Sequence, residues 1–289
     1  MKPALAAAIL LWTVEANAQI QIDLKFSRLQ FIAYEPVMAT LGITNLAGRD
    51  IDLRDAEGQA WFGFEVTGSE GQPIGPISTE NRQPPVKIEA GKRVTQKINI
   101  GNLFPVHDFG TYHVRAHIYF ADLNKYFYSP ARVFEVTDAR PIWQQTVGLP
   151  DPGAGPGNTR TYSLMTNRFP DHTSLYVRVE DRDRNVVFAT YSLGHAIAFG
   201  DPQVQIDQSN QLHVLHCSAP RTWSYSCVGL NGELVAHATY METKSRPRLV
   251  RAGDVVEVHG GMQNLPAAEA PEANVPKLSD RPAKKSKSP

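Results

Sequence analysis

Hydrophobic and polar positions alternate along much of the first half of the chain. Val37, Ala39, Leu41 and Ile43 alternate with Met38, Thr40, Gly42 and Thr44, and Tyr112, Val114, Ala116 and Ile118 alternate with Thr111, His113, Arg115 and His117. Phe134 and Val136 close a similar run. A period of two places one set on a buried sheet face and the other in solvent. Turn signals separate these runs at Asn45 to Arg49, Gly68 to Gly71, Gln83-Pro84-Pro85 and Gly91-Lys92. No window of ten or more residues carries a clean helical stripe. The pattern predicts about seven short strands folded as a two-sheet sandwich over residues 19–138.

The alternation then stops. Between Gly148 and Gly157, seven of ten residues are Gly or Pro, which neither a ladder nor a helix tolerates, so residues 139–158 are expected to form a linker. Residues 159–260 predict a second, strand-rich domain with an internal repeat. Leu175-Tyr176-Val177, Leu212-His213-Val214 and Val256-Glu257-Val258 recur at spacings of 37 and 44 residues. Similar leads, Pro202 to Ile206 and Pro247 to Arg251, precede the last two. Asn231-Gly232 is a hairpin signal. From residue 261 the chain loses its aromatic residues and becomes rich in Pro, Ala and Lys, which predicts a disordered basic tail over 261–289.

Two stretches resemble known architectures. Gly110-Thr111-Tyr112-His113-Val114-Arg115-Ala116 resembles the G-x-Y-x-V-x-A strand of immunoglobulin-like domains. Tyr34-Glu35-Pro36-Val37, leading into a strand and Asn45, resembles the early strands of bacterial immunoglobulin-like and macroglobulin-like modules, over residues 22–137. The resemblance implies a tyrosine that bonds back to an upstream loop, and a module that binds, spaces or presents without catalysis. A period near 40 built of short strands resembles the blades of β-propellers. A closed propeller has ~4–8 blades, and residues 159–260 hold at most two and a half. The expected fold class is therefore all-β, an immunoglobulin-like sandwich followed by a second β-domain with propeller-like hairpin repeats. That second domain either closes by itself as stacked sheets or assembles between chains.

The N-terminus changes where this protein is expected to work. Residues 1–18, MKPALAAAILLWTVEANA, have a positive start, a short apolar run and Ala16-Asn17-Ala18 at the end, the form of a cleaved signal peptide. The run is shorter than the ~20 residues of a membrane span. The protein is expected to be exported, periplasmic or extracellular, with no membrane span. In an oxidising compartment Cys217 and Cys227, the only two cysteines, are expected to form a disulfide across a hairpin centred on Thr222.

Charge narrows the partners. The chain balances 29 basic against 29 acidic residues, which removes the general electrostatic case for nucleic-acid binding. The balance is uneven along the chain, because over residues 277–289 Lys277, Arg281, Lys284, Lys285 and Lys287 face only Asp280. Lys284, Lys285 and Lys287 are candidate contacts to anionic envelope polymers or lipids.

No motif specifies catalysis. There is no G-x-S-x-G, H-E-x-x-H or G-x-x-x-x-G-K-[ST]. His113 and His117 share a strand, where four residues span ~13 Å, too far for one zinc with ligands at ~2 Å. Asp181-Arg182-Asp183-Arg184-Asn185 begins like a calcium loop, but Val186 stands where Gly is needed and Ser192 where Glu is needed, so a polar hairpin turn is expected. No cofactor, metal or catalytic residue is implied. Trp61, Tyr126, Tyr128, Trp223 and Tyr225 are candidate stacking aromatics for an unknown protein or glycan partner. The expected function is a non-catalytic binding, adhesion or assembly module of the cell envelope. The rival readings are a carbohydrate-active enzyme or its sugar-binding accessory module, which needs two carboxylates ~5–9.5 Å apart, and a protease-inhibitor-like module presenting Glu80 to Pro85.

Overall fold

The computed structural model describes residues 19–78, 83–149, 159–197 and 200–264. Among them every regular element is a strand, apart from two single-turn 3-10 helices at Ile100–Asn102 and Ala121–Leu123. Among the described residues no helix is long and apolar enough to cross a membrane. The expected leader at 1–18 and the tail lysines lie outside the described residues. The described chain divides into two compact units, one running to residue 141 and including residues 189–191, the other comprising the rest.

The first unit holds eleven strands. They are β1 (Ile20–Phe26), β2 (Gln30–Ile32), β3 (Met38–Asn45), β4 (Ile51–Leu53), β5 (Phe62–Thr67), β6 (Pro73–Ile74), β7 (Val86–Ile88), β8 (Arg93–Asn99), β9 (Gly110–Phe120), β10 (Lys125–Tyr128) and β11 (Arg132–Thr137). One sheet has the order β1-β3-β8 and the other β2-β11-β9-β5-β6, with β10 added to β9 and a separate β4-β7 pair. All pairings are antiparallel except β2 with β11, which is parallel.

The alternating residues do what their period demands. Ala39, Leu41 and Ile43 of β3 and Val114, Ala116 and Ile118 of β9 are all buried in one core shared by both sheets, together with Trp61, Phe104 and Phe134. Each Leu, Ile, Val or Phe side chain so removed from water contributes roughly 1.5–3 kcal/mol. Asn45 closes β3 at the core's edge. Its Nδ2 donates to the carbonyls of Arg49 and Ile88 at 2.7 and 2.9 Å, and its Oδ1 accepts from Ala47 N–H at 2.9 Å, so a fully buried amide is satisfied. Tyr112 Oη donates to the carbonyl of Asp108 at 2.8 Å, tying the start of β9 to the loop before it.

The second unit carries β12 (Arg140–Gly148), β13 (Thr159–Arg168), β14 (Thr173–Asp181), β15 (Val186–His195), β16 (Gln203–Ile206), β17 (Leu212–Ala219), β18 (Thr222–Val228), β19 (Leu234–Met241), β20 (Arg248–Ala252), β21 (Val255–His259) and β22 (Met262–Asn264). A four-stranded sheet follows chain order, β12-β13-β14-β15, a five-stranded sheet runs β16-β17-β18-β19-β22, and β20 and β21 form a hairpin. That hairpin packs Leu249 and Val256 on Leu215, Cys217 and Trp223. Side chains also join it to β16: Gln203 Nε2 donates to Pro247 O and Gln203 Oε1 accepts from Leu249 N–H, at 3.4 and 2.8 Å.

Three expectations are corrected here. Residues 140–148, placed in a linker, are strand β12, because the Gly/Pro run begins only at Gly148 and Ile142, Trp143, Thr146 and Val147 suit a ladder. Gln144 Nε2 reaches Ser163 Oγ at 2.7 Å and the hydroxyls of Thr146 and Thr161 meet at 2.9 Å. Residues 262–264, placed in the tail, extend the five-stranded sheet along β19. Third, Cys217 and Cys227 are both free and buried. The β17–β18 turn falls at Pro220-Arg221, where Arg221 has φ 59°, and this pairs Cys217 with Trp223 and Cys227 with His213. A hairpin turning two residues earlier than Thr222 leaves the cysteines four residues out of register.

Leu212-His213-Val214 and Val256-Glu257-Val258 each occupy the second strand of a hairpin whose first strand is the Pro-led segment, β16 or β20. Leu175-Tyr176-Val177 lies in β14, the second strand of the β13–β14 hairpin, whose first strand has no such Pro lead. Asn231-Gly232 turns β18 into β19, with Gly232 at φ 83° and its N–H donating to Gly229 O at 3.0 Å.

Candidate binding surfaces

The outward face of β9 collects rings. Strand pairing sets Tyr126 opposite Tyr119 and Tyr128 opposite His117 on β9, and Gly63 of β5 opposite His117 on the other side. Ring centroids lie 5.0 Å apart for Tyr119–Tyr126, 5.6 Å for His117–Tyr126 and 6.0 Å for His117–Tyr128. The Arg115 guanidinium sits 4.9 Å from the Tyr128 ring. Such aromatic pairs contribute about 0.5–1.5 kcal/mol each beyond burial, and an exposed cation–π pair about 0.5–1 kcal/mol. Tyr126 Oη donates to Gln59 Oε1 at 2.7 Å, which fixes the ring's tilt. Tyr128 keeps 44% of its surface in solvent.

Glycine makes this cluster compact. A Cβ at position 63 would lie 2.5 Å from His117 Nε2, so the imidazole rests on the bare backbone of β5. Burial lowers the His117 pKa, opposed by the nearby Glu65 carboxylate, and Nδ1 of the ring is buried without a hydrogen-bond partner. Beside it a cleft of about 290 Å³ is lined by Phe62, Phe64, Phe104 and His117. The result is a largely apolar, ring-bearing surface with the Arg115 guanidinium at its rim.

The other candidate aromatics are not on this surface. Trp61 is 1% exposed and donates its indole N–H to Gln83 O at 3.0 Å. Trp223 is 3% exposed, with Nε1 donating to Glu242 at 3.3 Å and Arg246 stacked on its ring. Both are core residues, as expected where the largest apolar side chains meet strand faces that point inward. Tyr225 is half-buried, its Oη 2.8 Å from His213 Nδ1, while His213 Nε2 faces Asp207 at 3.1 Å. Sequence reasoning missed His117, Tyr119 and Arg115 as members of the ring cluster; only the pairing of β9 with β10 joins them.

Around this network Cys227 donates its thiol to Gln211 Oε1 at 3.3 Å, and burial pushes the thiol pKa up to about 11. Cys217 donates to Ala219 O at 3.3 Å and its pKa is likewise raised by burial. Both are neutral thiols, poorly suited to nucleophilic attack. His113 and His117 lie on one strand, and among the described residues no group of three His, Cys, Asp or Glu side chains is arranged to hold a metal ion. Asp181, in the sequence that begins like a calcium loop, is buried, accepts from Arg184 N–H at 3.1 Å and faces Arg160 at 3.5 Å; Asn185 turns the hairpin at φ 54°. Of the Glu80 to Pro85 loop, residues 80–82 lie outside the described residues, as do Lys284, Lys285 and Lys287.

No family model matches the chain, and no curated protein matches it. Among solved structures, the crystal structure of Spo0M, sporulation control protein, from Bacillus subtilis aligns with 61% of this chain and 91% of its own, at 9% identity and a TM-score of 0.28, too loose a superposition to relate the two.

Proposed function

We propose that this is an exported, non-catalytic β-protein of the cell envelope whose first unit is an immunoglobulin-like binding module. The observation that carries the reading is the ring surface of part-buried His117 and Tyr126 and exposed Tyr128, with Arg115 at its edge. Aromatic rings with little conformational entropy and a neighbouring arginine are the residues that dominate binding energy at interfaces. The immunoglobulin-like reading is supported by the sheet orders β1-β3-β8 and β2-β11-β9-β5, by the parallel β2–β11 edge and by the Tyr112–Asp108 bond at the start of β9. One sheet in chain order, β12 to β15, and a second in which β16 to β19 follow chain order before β22 is added beyond the β20–β21 hairpin support a propeller-like second unit.

A glycan is the second reading for the partner, because tyrosine faces stack on the apolar faces of sugar rings. The test is cosedimentation of the mature chain, beginning at Gln19, with isolated cell envelopes, run beside a glycan array. Envelope binding that Tyr128→Ala and Tyr126→Ala each reduce at least tenfold, without release of reducing sugar, supports the module. Equal binding by both variants removes the ring surface from the account. An unprocessed chain retained in the cytoplasm removes the export.

A further inference from the structure

A second cavity, of about 270 Å³, lies wholly within the second unit. Leu175, Ile197 and Pro202 supply apolar walls, and Thr166, Thr173 and His216 supply polar groups. Part of one wall is Ala196 and Ile197, just after β15, each held by a backbone bond. Ala196 N–H donates to Thr173 O at 2.8 Å and Ile197 N–H to Cys217 O at 3.0 Å. These bonds tie that part of the wall to β14 and β17.

His216 is the unusual group in it. The residue is only 2% exposed. Its Nε2 lies 3.0 Å from the carbonyl of His195, and because a carbonyl only accepts, the ring proton sits on Nε2. Burial lowers the imidazole pKa to about 4, so the ring is neutral near pH 7. Nδ1 is then a lone-pair acceptor, and it has no hydrogen-bond partner. Buried acceptors of this kind are normally satisfied.

The missing partner must be a donor. A cation entering this site would shed its hydration against apolar walls and a neutral imidazole, which is costly. An anion would meet no Lys or Arg among the described lining residues, and Asp201 at the lining would repel it. A hydroxyl on a compact apolar body satisfies Nδ1 without either penalty. We propose that this cavity is a binding site for a small uncharged hydroxyl compound whose O–H donates to Nδ1 of His216. It is independent of the ring surface on the first unit.

Phenol and its methyl ether anisole test this, because they share a ring and differ in the donor. Isotope-labelled mature chain is titrated with each and followed by NMR. Phenol is expected to shift the amides of Thr173, Leu175, Ile197 and His216 together with the His216 ring nitrogens, and to bind at least tenfold more tightly than anisole. His216→Phe is expected to abolish that preference. Should the variant fail to fold, the comparison of phenol with anisole on the unaltered chain still decides. Equal affinities, shifts scattered over the surface, or no binding of phenol with a water held on Nδ1 would each overturn the proposal.

Discussion

The Tyr112 hydroxyl donates to the Asp108 carbonyl four residues earlier, at 2.8 Å, while its ring stacks on Phe134 of β11 with centroids 5.2 Å apart. One side chain thus fixes the entry of β9 and packs against the neighbouring strand. Tyr112→Phe keeps the ring and removes only the bond. The expected loss is about 1 kcal/mol, typical of a single hydrogen bond, read as a lower urea midpoint with an unchanged slope. An unchanged midpoint would show that the corner holds without it.

Cys227 pairs with His213 and Cys217 with Trp223. Reductant is therefore expected to leave the thermal midpoint of the purified protein unchanged, and mass spectrometry after alkylation under denaturing conditions is expected to find two free thiols. In the native state both thiols, buried and with raised pKa values, should react slowly with a thiol reagent and become fast on unfolding. A mass two units lower, from a disulfide, would contradict the hairpin register.

His216 links stability to pH. Its folded pKa, about 4, lies below the ordinary 6.5, so between those values the unfolded chain binds more protons than the folded one. Stability from this group is complete above pH 6.5 and is lost as pH falls toward 4, at a slope approaching 1.4 kcal/mol per unit. Urea unfolding from pH 7 to 4.5 should show this, and His216→Gln should flatten it. Identical slopes in the two proteins would rule the histidine out as the cause.

Gly63 supports the ring surface by lacking a side chain. Gly63→Ala would place a methyl 2.5 Å from His117 Nε2, so the imidazole must swing away. The expected cost to stability is small, roughly 1 kcal/mol, because a side chain can yield where backbone cannot. The expected cost to binding is large. NMR should show the His117 ring protons losing the ring-current shift from Tyr126, and envelope binding should fall with it. Unshifted His117 resonances would place the cluster's order elsewhere.

Leu41 and Val114 were assignable to a core from their spacing, because a period of two leaves a strand one inward face whatever it packs against. The same holds for the Asn231-Gly232 turn, whose positive φ suits few residues. The ring surface was half legible: Tyr126 and Tyr128 could be named, but their neighbours His117 and Arg115 join them only through the pairing of β10 with β9.

What the amino-acid order determined by itself was local: strand periods, turns and the all-β class, each set by sterics within a few residues. The tertiary structure decided which aromatics face water, so that Trp61 is core while Tyr128 is surface. It also decided that Pro220-Arg221 turns the hairpin and keeps the cysteines apart. Those outcomes depend on register and on which sheet covers which face, and both are set by contacts between segments far apart in the chain.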